Sequence, residues 1–196
     1  MKRTAKVERK TKETDIKIKL NIDGEGNYSI DTPIGFLNHM LELFVKHGLF
    51  DLEIVTKGDI KVDEHHTVED IGIILGKVFA KALNDKKGIN RYGFFILPMD
   101  ESLITAACDL SGRIYFRLDC EFKREKVGDL PTELVYDFWD AFAKNANISL
   151  QIKEEFGRND HHKIEGIFKS VARALHIACD FDERIKGQIP STKGVL

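Results

Sequence analysis

One polar pattern occurs twice in this chain of 196 residues: Asp63-Glu64-His65-His66-Thr67-Val68-Glu69-Asp70, and later Asn159-Asp160-His161-His162-Lys163-Ile164-Glu165-Gly166. Each His-His-x-x-Glu leads into apolar residues at helical spacing. These are Ile71, Ile74, Leu75, Val78 and Phe79 after the first copy, and Ile167, Val171, Ala174 and Leu175 after the second. Both motifs are therefore expected on the opening turns of helices, where a glutamate three or four positions after a histidine shares its face. Neighbouring helix positions point about 100° apart, so His65 and His66 cannot bind one ion in the same way. Each pair is expected to serve two metals, or two halves of a site. A single copy is weak evidence, because paired histidines at a helix start are often solvated caps. A packed core gives no reason for a second copy, and imidazole with carboxylate is the donor set of divalent transition ions.

The surrounding chain repeats with the motif. Ile16, Ile18, Leu20 and Ile22 alternate with Lys17, Lys19 and Asn21, the period of a half-buried strand, and Asp23-Gly24-Glu25-Gly26-Asn27 is a turn, so residues 15–31 read as a hairpin. Pro33 opens a helix carrying Phe36, Leu37, Met40, Leu41 and Phe44 that should stop near Gly48, and Leu52 to Thr56 is a short strand. In the second half, Phe94 to Leu97 begins a new set of strands and residues 103–122 read as a hairpin. Pro131 opens a helix with Leu134, Phe138 and Phe142, and Ile148 to Ile152 is a strand. A displacement of 98 sets Ile114 on Ile16, Phe116 on Ile18, Leu118 on Leu20, Phe142 on Phe44 and Leu150 on Leu52; the motifs differ by 96 (161 minus 65). The expected fold is α+β: a single domain over 1–196, made of two strand-strand-helix-strand-helix units of about 1–93 and 94–196, with sheets packed on helices. The same displacement carries His39 to Asp137, adding one candidate metal ligand to each half, since aspartate also offers an anionic oxygen.

Composition narrows the alternatives. Lys+Arg 30 against Asp+Glu 32 gives a formal net charge of -2, which points to neither nucleic acid nor an anionic membrane. The basic first fifteen residues lack a following apolar run, so they do not read as a secretory signal, and no stretch of about 18 apolar residues occurs. Cys108, Cys120 and Cys179 have no metal-ligand spacing and are expected to be reduced, in the cytoplasm.

Five separated stretches carry a resemblance over essentially the whole chain: His65-His66-Thr67-Val68-Glu69-Asp70, Pro98-Met99-Asp100-Glu101, Asp109-Leu110-Ser111-Gly112-Arg113, Asp160-His161-His162 and the tail Pro190-Ser191-Thr192-Lys193-Gly194-Val195-Leu196. Together they resemble the imidazoleglycerol-phosphate dehydratases of histidine biosynthesis. The resemblance implies a ribosomal protein S5 domain 2-like fold and dehydration of D-erythro-imidazole glycerol phosphate to imidazole acetol phosphate. It also implies two manganese ions per active site, and a homo-oligomeric shell of about 24 copies with active sites between subunits. As metal ligands it implies His39, His65, His66, Glu69, His161, His162 and Glu165, with Asp137 at a position where many relatives have histidine. As catalytic residues it implies Glu13, near the reacting carbons and acting chemically or by orienting substrate, Glu165, as both ligand and proton carrier, and Asp100, binding the substrate hydroxyls or a metal-bound water. Phosphate binding falls to Arg91, Arg113, Lys169, Ser191 and Lys193, with the tail ordering on substrate.

The chemistry agrees with this assignment. The hydrogen removed is not next to a carbonyl, so direct abstraction would face a poor carbon acid. A metal-bound imidazolate can instead expel hydroxide and leave a diazafulvene-like intermediate, with positioned carboxylates moving the protons. A di-metal oxidase or hydrolase in a ferritin-like bundle would lack the strands. A metal-storage module would leave the basic set unexplained.

Overall fold

A computed structural model describes residues 3–194; Val195 and Leu196, which close the tail motif, lie outside the described residues. The architecture is α+β. In the first sheet β1 (Thr4–Lys10) pairs antiparallel with β2 (Thr14–Asn21), and β2 pairs antiparallel with β4 (Asp51–Gly58). β4 in turn pairs parallel with β3 (Tyr28–Asp31), giving the order β1-β2-β4-β3. The second sheet repeats this with β5 (Tyr92–Met99), β6 (Ser102–Asp109), β10 (Ser149–Phe156) and β7 (Tyr115–Asp119), in the order β5-β6-β10-β7. A small ribbon, β8 (Lys126–Val127) with β9 (Leu130–Pro131), stands apart.

Two features differ from the sequence reading. Residues 15–31 and 103–122 are not hairpins: β4 lies between β2 and β3, and β10 between β6 and β7. The hairpins are β1–β2 and β5–β6. β1 was not expected, because a basic segment with few apolar residues carries little strand signal; only Ala5 is buried along it. Each half thus contributes three strands of its four-stranded sheet before its first helix. The repeat register changes accordingly. By position in the sheets, Ile16, Ile18 and Leu20 correspond to the buried Ile104, Ala106 and Cys108, a displacement of 88, and not to Ile114, Phe116 and Leu118. The β8–β9 ribbon lengthens the connection before the next helix and restores the displacement to 98 at Phe44 and Phe142.

Four helices fill the space between the sheets: α1 (Gly35–Gly48), α2 (His65–Leu83), α3 (Leu134–Ala146) and α4 (Asp160–Cys179). α2 packs on β1 and β2, and α4 on β5 and β6. The main helix–helix contacts cross the halves: α1 lies against α4 and α3 against α2. Gly72 and Gly76 permit the second of these crossings, since a Cβ at either would sit 2.5 Å from the carbonyl oxygen of Phe138 or Phe142. Trp139, fully buried, holds the centre among Phe44, Phe138, Phe142 and Phe168. The start of α1 is also fixed from the other half. Ile34 provides no side-chain cap, but the Asp129 carboxylate accepts from the N–H groups of Gly35 (2.6 Å) and Phe36 (2.8 Å).

Candidate metal and phosphate sites

Each motif opens its helix as expected, and the two openings are built alike. The Asp63 carboxylate accepts from the His65 N–H (2.9 Å), and the Asn159 side chain accepts from the His161 N–H (3.0 Å). The first histidine of each motif then meets its glutamate along the helix and a residue from a helix of the other half. His161 Nε2 lies 3.2 Å from Glu165 Oε1, and His39 Nε2, from α1, lies 3.1 Å from the same oxygen. One ligand atom from each of His39, His161 and Glu165 falls within 4.8 Å of the others. His65 Nε2 lies 3.8 Å from Glu69 Oε2, and its Nδ1 lies 3.9 Å from Asp137 Oδ2, from α3. The sequence reading grouped His39 and Asp137 each with the motif of its own half. The structure pairs each with the opposite motif, because α1 packs on α4 and α3 on α2.

The second histidines point elsewhere, as adjacent helix positions must. The rings of His65 and His66 are 85° apart and those of His161 and His162 are 86° apart. His66 Nδ1 faces the Asp59 carboxylate at 3.2 Å. His162 Nδ1 lies 2.7 Å from Glu101 Oε2, and its Nε2 is 3.7 Å from Asp100 Oδ2. Asp59 raises the pKa of His66 by hydrogen bonding, against some desolvation, and the charge of Glu13 in the exposed β1–β2 turn raises it further. His162 and backbone N–H donors hold the Glu101 carboxyl down at about 2.

Glu165 is the most enclosed of these carboxylates, 6% exposed. Burial works against its ionisation, but Lys169 (Nζ to Oε2 2.7 Å) and His39 outweigh that and keep its pKa below the usual carboxylate value. Lys169 is thereby separated from the rest of the expected phosphate set. Arg91, Arg113, Ser191 and Lys193 converge, with Ser111, around a cavity of about 380 Å³. Arg91 donates to Asp109 Oδ1 (2.8 Å) and Oδ2 (3.2 Å) and to the Pro190 carbonyl (2.8 Å), so its fork is occupied in tying the tail to β6. Arg113, whose side chain is exposed, lines the same cavity with Lys193 and Ser191. A larger cavity, about 570 Å³, lies over the first sheet at Thr4, Asn27 and Asp51 and includes neither motif.

Asp59 and Glu101 were not among the expected site residues. Asp59 looked like the end of a strand, and in Pro98-Met99-Asp100-Glu101 the role fell to Asp100. A carboxylate that reaches a histidine across a chain turn leaves no spacing signature in sequence.

These residues provide two clusters of nitrogen and carboxylate donors together with a cationic cleft. A family model described as imidazoleglycerol-phosphate dehydratase matches residues 32–175. The chain is 54% identical to the imidazoleglycerol-phosphate dehydratase of Caldicellulosiruptor bescii over 99% of its own length and 98% of that protein. It is 53% identical to that of Acetivibrio thermocellus over the full length of both. Among solved structures, the enzyme from Staphylococcus aureus superposes with a TM-score of 0.83 at 39% identity, covering 91% of this chain and 99% of that one. The Pyrococcus furiosus structure superposes with a TM-score of 0.83 at 33% identity, covering 97% and 100%. The chain belongs to the imidazoleglycerol-phosphate dehydratase family, hydro-lyases of histidine biosynthesis.

Proposed function

We propose that the chain dehydrates D-erythro-imidazole glycerol phosphate with the help of manganese held by its two histidine motifs. The observation that carries this reading is the convergence of His39, His161 and Glu165, drawn from two halves of the chain onto one point. Two imidazoles and a carboxylate fit a divalent transition ion by donor chemistry. His65, Glu69 and Asp137 form the related, more open group, and His66 and His162 turn further donor atoms outward from each. When bound, manganese would supply Lewis acidity toward the substrate's imidazole ring.

The chain's own groups supply the rest. Arg113, Ser191 and Lys193 would bind the phosphate, as Arg91 holds the tail in place. Lys169 and the two histidines keep Glu165 ionised, and therefore able to accept a proton from the substrate's side chain. Asp100 and Glu13, on the two corresponding hairpin turns, would accept or donate at substrate hydroxyls. A cytoplasmic location accords with three free cysteines, two of them buried.

We also propose a large homo-oligomeric shell with the sites between subunits. The outer face of the second sheet exposes Tyr92, Phe94 and Ile96, whereas the outer face of the first carries Lys17, Lys19 and Glu53. Such an apolar strip is suited to a contact between copies and supports this reading. The test is turnover by chelator-stripped protein before and after manganese is added back, with light scattering alongside. Restored activity and reassembly support the reading. Full activity and an intact assembly without metal would refute it.

A further inference from the structure

Metal binding by His66 and His162 is part of the proposed function, and it leaves open which ring nitrogen each presents and what holds the ring. Resting on that proposal, we infer that Glu101 and Asp59 are positioning residues that fix the orientation and tautomer of His162 and His66, so that Nε2 of each is the ligand atom.

Glu101 Oε2 lies 2.7 Å from His162 Nδ1, while Oε1 of the same carboxylate accepts the N–H of Asn159 at 2.8 Å. An ionised carboxylate only accepts, so the Nδ1 facing it carries the proton and Nε2 keeps its lone pair. Asp100, the other carboxylate near this ring, is 3.7 Å from Nε2, outside hydrogen-bond range, and does not reverse that assignment. On the other motif both Asp59 oxygens face His66 Nδ1, at 3.3 and 3.2 Å. A partner of this kind on the remote nitrogen is how metal-binding imidazoles are commonly oriented and made more basic.

The internal repeat argues that these contacts are not inherited scaffolding. Asp59 follows β4, and a displacement of 98 puts Gly157 in its place. Glu101 sits in the β5–β6 turn, and the strand displacement of 88 leads back to Glu13, which acts on His66 only through its charge. The two halves therefore reach the same Nδ1 contact with residues that do not correspond. A requirement at the ring accounts for this, and descent from one ancestral half does not.

Glu101→Gln separates this role from a structural one. The amide oxygen can still accept the Asn159 N–H, which leaves the amide NH₂ to donate to Nδ1 and drives the imidazole proton onto Nε2. Expected are an unchanged fold, Mn2+ binding weaker by about 10- to 100-fold in competition with a chelator, and a His162 signal protonated at Nε2 in 15N spectra of metal-free, histidine-labelled protein. Glu101→Asp, which keeps an acceptor, is expected to recover part of the affinity. Asp59→Asn should act likewise on His66. If Glu101→Gln has wild-type Mn2+ affinity and tautomer, Glu101 merely ties the turn to α4 and the inference is overturned. Wild-type protein with Nε2 protonated overturns it as well. A wild-type chain that binds no Mn2+ at the motifs brings down the underlying functional reading, a result separable from the tautomer measurement.

Discussion

The two donor clusters are built to one plan and have settled differently. His39, His161 and Glu165 close on one another, with the carboxylate buried and an ammonium attached. His65 lies 3.8 Å from Glu69 through Nε2 and 3.9 Å from Asp137 through Nδ1, and the Glu69 side chain is 47% exposed. The position on α2 that matches Lys169 is Ile73, so Glu69 has no cation on its own helix face. The His65 cluster therefore holds two carboxylates with one imidazole, and the His161 cluster holds one carboxylate with two imidazoles and a lysine. A repeated sequence pattern can thus carry two electrostatic environments, one harder and open to solvent, the other balanced and enclosed.

Changing Glu165 to Gln should have the largest effect. With the fold retained, kcat/KM is expected to fall by about 10²- to 10⁴-fold, and wild-type turnover would remove Glu165 from the chemistry. The same change at Glu69 tests the comparison directly, because an equal loss would make the clusters equivalent in function despite their geometry. Replacing Lys169 by Met leaves the enclosed Glu165 without its ammonium and should lower unfolding free energy at neutral pH by about 2 kcal/mol, read from denaturant midpoints. No change would mean that His39 and His161 suffice.

The smallest effect concerns how the two ligand-bearing helices are started. α1 is capped by Asp129, whereas the residue before α3, Glu133, makes no side-chain cap. Asp129→Ala should cost about 1 kcal/mol. Burial opposes the Asp129 charge, but the N–H groups of Phe36 and Gly35 outweigh it and lower its pKa. A carboxylate lowered on folding stabilises fully above its unfolded pKa, about 3.9, and loses that contribution as pH falls through the folded value. The difference between wild type and Asp129→Ala should therefore be complete at neutral pH and shrink below about pH 4. A difference independent of pH would assign the effect to packing.

Much of this was legible in the sequence. Helical period and the doubled motif placed α1, α2, α3 and α4, because amphipathic helices write their buried face into the spacing of Leu, Ile and Phe. Strand partners were not legible. A turn such as Asp23-Gly24-Glu25-Gly26-Asn27 shows where the chain bends, but not whether the strand leaving it lies beside the strand entering it. Here β4 takes the middle place, since its Leu52 and Ile54 are buried under the helices while β3 has no fully buried residue. The motifs announced the donor types, yet the pairing of His39 with Glu165 depended on packing 126 residues apart. Asp59 and Glu101 were hidden for the same reason.

The crossed pairing of helices has a consequence for symmetry. Since each cluster takes one helix from either half, two separate copies of one half, related by a two-fold axis, would build both clusters, and those clusters would have to be identical. Carrying the halves in one chain removes that obligation. Position 39 can then hold an imidazole while position 137 holds a carboxylate, and a lysine can serve one glutamate alone. Covalent continuity here is what allows one ancestral site to become two unlike ones.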